Sequence, residues 1–396
     1  MTADQLLRQE LKAKGLKYVG TRGPKTARTW LIGEAPGGDE DASATLTSDG
    51  VPFIGYSGKL LDKMLDEVGF PSGSCCYSNP YKSRPPDNDI KRIHELGIPT
   101  PLFIDQFLEE LRQYKPTILV ACGKTPTNLL VPETKPKIFK KGQKEDKEGF
   151  GSWRGSLLQS PLLNWDHYII PMYHPAFVLR NYAEREICTL ILARAYEEYS
   201  YWNTNHQLQP LLQRNLIVSP SFGEAYDFLR RCLSSPSPIS IDIELLNRKV
   251  PYTISFAINP IEAISMSFWN YPEGELTCLW RMIDAILSTK WQIGQNYYRF
   301  DAHWLRGLGF NVNIKLVHDT LIRHHVLWPG LRHSLEFQTM QYTREPYYKE
   351  EGRGFTLKKD GLGKLMRYNC KDSAVTYEVF NEQEKEFDER EKDKVA

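Results

Sequence analysis

Residues 239–245 read ISIDIEL, and this stretch decides how the second half of the chain folds. Ile239, Ile241 and Ile243 alternate with Ser240, Asp242 and Glu244, the period of a strand with one face in a core. Asp242 and Glu244 lie two residues apart, so both carboxylates leave the strand side by side on the opposite face. Adjacent carboxylates repel unless a cation lies between them, and a divalent metal is the usual answer. A solvated sheet edge carries the same pattern, so other segments have to decide.

Two segments do. Asp301 follows an apolar strand in GQNYYRFDAHWL, and Asp372 sits in YNCKDSAVTY, where a helix is expected to begin. Tyr368 precedes Asp372 by four residues, one helical turn, so both address the same space. The ordered set Asp242-x-Glu244, Asn296-x3-Phe300-Asp301 and Tyr368-x3-Asp372 resembles the DEDD-type 3′–5′ exonucleases, specifically the proofreading domain of family-A DNA polymerases. The intervening HDTLIRHHVLWP, HSLEF and YTREPYYK fit the same likeness, which runs from about residue 215 to 390.

That resemblance implies a ribonuclease-H-like α/β domain. Asp242, Glu244, Asp301 and Asp372 would hold two Mg²⁺ or Mn²⁺ ions around a phosphodiester at a DNA 3′ end. One ion would lower the pKa of a bound water, and both would clamp the in-line displacement. Tyr368 would orient that water, while Asn296 and Phe300 would place the terminal nucleotide. In the polymerases this domain leads into palm and fingers. Here a charged helix, FNEQEKEFDEREKDKVA, follows, so the expectation is a DNA polymerase on a separate polypeptide or an exonuclease acting alone.

The totals frame the first half. A chain of 396 residues with 41% hydrophobic and 25% charged residues supplies two cores. The expected domains are 1–203 and 215–396, joined by the linker TNHQLQPLLQR at 204–214. A net charge of +1 makes any nucleic-acid surface local. Seven cysteines without CxxC spacing fit a reducing cytoplasm, and the likeness to polymerase domains points to a bacterial or bacteriophage replication context. No apolar run is long enough for a membrane span, and MTADQLLRQELKAKG is an amphipathic helix.

Along the first half, the strands TWLIG, CCYSN, TILVACG and HYIIPMY alternate with helices over 57–68, 104–114, from Thr125, and then to about Tyr201. Ser57 is placed to cap the first of these. The alternation predicts a parallel α/β sheet with its ligand site at the strands' carboxyl ends. The loops carrying Glu34–Glu40, Asn79 and His174 should therefore meet at one cleft. The lysine-rich stretch Lys135–Lys147 reads as a mobile loop, either solvated or touching DNA backbone.

GEAPGGDED at 33–41 followed by PFIGYSGKLL, then YSNPYKSRPPDND, then YHPAFVLR, is similar to the family-four branch of uracil-DNA glycosylases over about residues 25–200. The resemblance implies a flipped uracil. Phe53 would stack on it, and Asn79 would pair with its O4 and N3–H. His174 would donate to O2 as charge develops on the leaving base. Glu40, with Glu34 and Asp41 as alternatives, would position the attacking water. The Gly33–Gly38 backbone, Ala35 included, would approach the deoxyribose phosphate, and Phe177–Arg180 would fill the vacated stack and grip phosphate. Each also has a plainer reading: Phe53 as core, Asn79 as a turn former, His174-Pro175 as a structural turn.

The chain departs from that branch at the cysteines. The branch carries an iron–sulfur cluster on four cysteines, but here no cysteine precedes Cys75, and Ser83 stands in the KSRPP context. No cluster is expected. The insertion SATLTSD lengthens the loop after Asp41, and KRIH at 91–94 resembles a loop whose histidine captures DNA covalently in another glycosylase branch. A basic segment touching phosphate is the alternative. The fusion implies uracil excision and 3′-end trimming acting together on single-stranded or 3′-ended DNA. A non-catalytic uracil sensor or a polymerase-docking module are the competing readings of the first domain.

Overall fold

The computed structural model describes residues 1–134, 150–247, 249–351 and 361–395. Lys135–Lys147 lies outside the described residues. The chain divides into two compact units, Met1–Pro210 and Leu211–Ala396.

In the first unit four short, wholly buried strands form the sheet: β1 (Thr29–Ile32), β2 (Cys75–Ser78), β3 (Ile118–Cys122) and β4 (Tyr168–Met172). Their order is β2-β1-β3-β4 and every pair is parallel. Strands buried on both faces need near-continuous apolar runs, which is what TWLI, ILVAC and YIIPM supply. The connections are α1 (Ala3–Ala13), α2 (Gly38–Ser43), α3 (Tyr56–Glu67), α4 (Thr100–Tyr114), α5 (Lys124–Leu130), α6 (Pro175–Arg180) and α7 (Arg185–Asn205). The strand order reverses at β1 and β3, so the crevice beyond their carboxyl ends is the expected ligand position. Two helix starts differ from expectation. Gly55, not Ser57, caps α3, because the chain turns out of the Phe53 corner two residues earlier. Helix α4 begins at Thr100, where Pro101 in its first turn fixes φ for a helix start.

The second unit carries a mixed sheet of β5 (Asn215–Val218), β6 (Ile239–Leu246), β7 (Val250–Ala257), β8 (Glu262–Ser267), β9 (Gln292–Gly294) and β10 (Val317–Asp319), in the order β10-β9-β6-β7-β8-β5. β6, β7 and β8 pair antiparallel, as the hairpin spacing predicts, and the other pairs are parallel. Ile239, Ile241 and Ile243 are at most 1% exposed, packed in a core with α8 (Phe222–Ser234) and α9 (Glu273–Thr289). Helices α10 (Asp301–Gly307), α11 (Thr320–Leu327), α12 (Leu335–Tyr342) and α13 (Leu362–Val395) follow.

Helix α13 corrects one expectation. Asp372 is not at a helix start but well inside α13, because no glycine or proline interrupts the chain after Gly363. Cys370, Ala374, Tyr377 and Phe380 of α13 pack on Ala257, Ala263 and Ile293. The helix thereby covers the sheet face that carries Asp242 and Glu244.

Candidate active sites

In the first unit the cleft at the strand ends has a volume of about 410 Å³. Glu34, Ala35, Gly37 and Glu40 reach it from the loop after β1, Asn79 from the end of β2, and His174, Phe177 and Arg180 from the end of β4. Phe53 and Ser57 complete one wall. Gly33 sets how narrow the cleft is: a Cβ there would lie 2.2 Å from Asn79 Oδ1 and 2.7 Å from Phe53 Cζ. The amide of Asn79 and the ring of Phe53 therefore converge over a bare backbone. The Phe53 and His174 rings stack at 6.2 Å and 27°.

Phe53 holds φ at 58°, a left-handed conformation that is costly for an aromatic residue. Glu40 and Arg22 hold it there. Glu40 Oε1 accepts the Phe53 N–H at 3.1 Å while its Oε2 accepts the Gly37 N–H at 2.5 Å. Arg22, paired with Asp62, donates to the Phe53 carbonyl at 3.0 Å. Glu40 thus ties together the two loops that wall the cleft. Glu34 accepts from the Thr125 hydroxyl across the β1–β3 switch point, and Asp41 takes Lys17 at 3.4 Å.

His174 Nδ1 accepts the Ala176 N–H at 3.2 Å, which leaves its proton on Nε2. Burial, then the nearby Arg180, pushes its pKa down to about 4, so at neutral pH it is an uncharged donor. Beneath Asn79, the fully buried Lys82 donates to Ser78 Oγ at 2.7 Å and Glu110 Oε2 at 2.8 Å. Burial alone would raise the Glu110 carboxyl, but Lys82 more than offsets this and holds it below its ordinary value. Nothing in the sequence marks Lys82, since a lone lysine in a proline-rich loop carries no periodic signal. His94 is exposed on a short 3₁₀ turn, Ile90–Leu96, with Nδ1 on the Lys91 carbonyl at 2.9 Å. It does not line the cleft, although Pro85 and Asn88 of the same loop do.

The cysteines do not fit an iron–sulfur cluster. Cys75 and Cys76 are consecutive on β2 and so face opposite sides of the sheet. Cys122 and Cys188 are fully buried in the core, and no three cysteines converge among the described residues. Burial raises the thiol pKa of Cys75 to about 11 and of Cys76 and Cys188 to about 12. Tyr81, two residues before Ser83, packs in an apolar cluster with Leu7, Leu11, Tyr18, Ile93, Ile98 and Phe103.

In the second unit one oxygen each of Asp242, Glu244 and Asp372 lies within 4.8 Å of the others. Asp301, expected as the fourth, is outside this close set. It opens α10, and its Oδ1 accepts the Ile243 N–H at 3.1 Å, one strand position from Asp242. Burial and then the neighbouring carboxylates raise Asp242 well above the usual range and Glu244 to about 8, and burial raises Asp301. The cluster calls for cations. Its all-oxygen donor set fits a hard divalent ion such as Mg²⁺ or Mn²⁺.

Tyr368 lies one turn before Asp372 on α13, and burial keeps its hydroxyl protonated. Asn296 sits at φ 56° in the turn leading to α10, where Phe300 is 37% exposed. Sequence reasoning missed three further residues. Asn369 Nδ2 donates to Asp242 Oδ2 at 2.7 Å, and Tyr348 donates to Asp372 Oδ1 at 2.6 Å. Lys349 Nζ lies 2.7 and 2.6 Å from the two Asp372 oxygens and 3.1 Å from the Tyr368 oxygen.

The first unit is thus an α/β domain with a narrow aromatic-walled cleft at the ends of a parallel sheet. Residues 21–195 match the family described as the uracil DNA glycosylase superfamily, and the chain belongs to that family. It is 30% identical over 176 residues to a type-4 uracil-DNA glycosylase of Archaeoglobus fulgidus, covering 43% of this chain and 75% of that protein. It is 29% identical over 170 residues to the Saccharolobus solfataricus type-4 enzyme, covering 43% and 70%. Among solved structures, the Aedes aegypti Nibbler EXO domain aligns with a TM-score of 0.34 at 12% identity, over 45% of this chain and 92% of that one. An EXD2 exonuclease domain soaked in Mg and GMP aligns with a TM-score of 0.22 at 17% identity, over 42% and 87%. No helix among the described residues is long and apolar enough to cross a membrane.

Proposed function

We propose that this chain is a two-site DNA-processing enzyme, a uracil-DNA glycosylase joined to a metal-dependent 3′–5′ exonuclease. The observation that carries the nuclease reading is the meeting of Asp242, Glu244 and Asp372 beside Tyr368. Asp242, Glu244 and Asp372 are the metal ligands, with Asp301 adjoining them as the fourth carboxylate. A bound Mg²⁺ or Mn²⁺ pair would supply a nucleophilic water and neutralise the phosphodiester. Tyr368, protonated, donates a hydrogen bond that orients the water. Phe300, whose ring is exposed, and Asn296 would receive the 3′-terminal nucleotide.

In the first unit Asn79 reads the base edge, Phe53 stacks on the ring, and neutral His174 donates from Nε2 to the developing oxyanion on uracil. The narrow approach over Gly33 supports a pyrimidine. Glu34 is the carboxylate assigned to water, because Glu40 accepts a backbone N–H on each oxygen whereas Glu34 is engaged by the Thr125 hydroxyl at Oε1. That engagement of Glu40 favours a second reading, a domain that binds uracil without cleaving it. Uracil released from an oligonucleotide in EDTA, against none released by Asn79→Ala, separates them. Binding without release leaves the sensor reading. Single-stranded or 3′-ended DNA is the partner both sites require, and a separate polymerase would supply the ends to be trimmed.

A further inference from the structure

The cation already inside the carboxylate cluster is Lys349. Its ammonium takes both oxygens of Asp372, at 2.7 and 2.6 Å, and reaches the Tyr368 oxygen at 3.1 Å. The side chain is 14% exposed, so it lies within the site rather than over it. A divalent ion held by Asp242, Glu244 and Asp372 needs at least one of those same Asp372 oxygens, and the repulsion between two cations on one carboxylate weakens the hold of each. Lysine and metal are therefore competitors for one ligand.

The ion pair is not needed to fix the backbone that carries Lys349. Glu345 is anchored by Arg214 at 3.0 Å and lies 3.6 Å from Lys371, and Glu351 is held by Lys371 at 2.9 Å. Tyr348, 4% exposed, packs in a cluster with Leu335, Val375 and Val379. The segment is thus tied down on both sides of Lys349, whose flexible stem leaves its head free to move by a few ångströms. Tyr368 marks where it can go, because the residue proposed to orient the attacking water is already within its reach. With four carboxylates, two divalent ions and one phosphodiester, the lysine's charge makes the loaded site neutral.

We propose that Lys349 exchanges between two anions: Asp372, where it competes with the metal, and a non-bridging oxygen of the phosphodiester being cleaved. On this account Lys349 is a catalytic residue that stabilises charge developing on the phosphoryl oxygens, and it sets the metal concentration at which the site loads. The inference rests on the exonuclease reading.

The test uses the full chain and its Lys349→Met and Lys349→Arg variants, with uracil-dependent DNA binding by the first unit as a check of intact protein. Mn²⁺ binding is followed by the loss of the free-ion EPR signal. Single-turnover removal of the 3′ nucleotide is then measured at saturating Mn²⁺. The proposal predicts that Lys349→Met binds Mn²⁺ roughly tenfold more tightly yet cleaves about 10²-fold more slowly, the scale set by losing one oriented charge at a developing oxyanion. Lys349→Arg should lie between it and the unaltered chain. A Lys349→Met protein that binds Mn²⁺ no more tightly, or cleaves at the unaltered rate, overturns the proposal. Mn²⁺ binding that Asp242→Ala leaves unchanged would overturn the exonuclease reading and this inference with it.

Discussion

Asn369 holds Asp242 twice over, with its Nδ2 2.7 Å from the carboxylate Oδ2 and 3.1 Å from the carbonyl oxygen of the same residue. Its own Oδ1 accepts from Ser265 at 2.7 Å, which locks the amide in one orientation. Helix α13 thus reaches across to β6 and aims one carboxylate of the cluster from behind. Asn369→Ala would leave buried acceptors unpaired and cost about 1–3 kcal/mol of stability. It should also weaken Mn²⁺ binding while Asp372, on the other side of the cluster, is untouched. Denaturant titration and Mn²⁺ binding on the same variant check both effects.

Gly33→Ala should close the uracil cleft without unfolding the chain. The added methyl would meet the Asn79 amide and the Phe53 ring, both at cleft-wall positions. Uracil excision is expected to fall by about 10²-fold or more, since a small misplacement of binding groups costs that much. Metal-dependent 3′ digestion by the same preparation should stay unchanged, which controls for folding.

The paired placement of the sheet carboxylates was legible because a period of two leaves a mark on the sequence. Ile239, Ile241 and Ile243 pointed inward and pushed Asp242 and Glu244 to the other face, as the structure has them. Asn79 and His174 were legible for a related reason: parallel strands place their carboxyl ends together. Asn369 and Lys349 were not. Each acts through a contact more than 20 residues away in sequence, and an asparagine or lysine beside a functional residue has no pattern of its own. Asp372 was put at a helix start. Its real place, inside α13, answers to the sheet it covers. Glu40 was given the water through the likeness of GEAPGGDED, and the backbone N–H that each of its oxygens accepts leaves no mark on the sequence.

His174 gives a pH signature. Its folded pKa, about 4, lies below the ordinary histidine value near 6.5, so between these pH values the unfolded chain binds a proton that the folded chain does not. Its contribution to stability is therefore fully present above about pH 6.5 and is lost as pH falls toward 4. Thermal melts from pH 7 to pH 4 should show a decline that His174→Gln reduces. Uracil release should hold steady from pH 8 down to pH 6, because the neutral donor persists throughout. A loss of activity centred on pH 6.5 would mean that His174 acts charged.

Glu40→Ala should loosen the cleft rather than remove a water ligand. It frees the Gly37 and Phe53 N–H groups and with them the strained turn at Phe53, at a cost of about 1–2 kcal/mol. Uracil affinity should fall together with the excision rate. Glu34→Gln, by contrast, should lower the excision rate with affinity retained. Equilibrium binding to a uracil oligonucleotide and single-turnover release, measured side by side, distinguish the two carboxylates.

The most direct test of two separate active sites is one gel. A 5′-labelled single-stranded oligonucleotide with one internal uracil is incubated with the protein in EDTA or in Mg²⁺, then treated with alkali. The unaltered chain should give an alkali-dependent break at uracil in EDTA and, in Mg²⁺, a ladder shortening from the 3′ end. Asp242→Ala should keep the break and lose the ladder, and Asn79→Ala should do the reverse. Intact DNA in EDTA would contradict the glycosylase assignment, and a ladder surviving in Asp242→Ala would contradict the metal site.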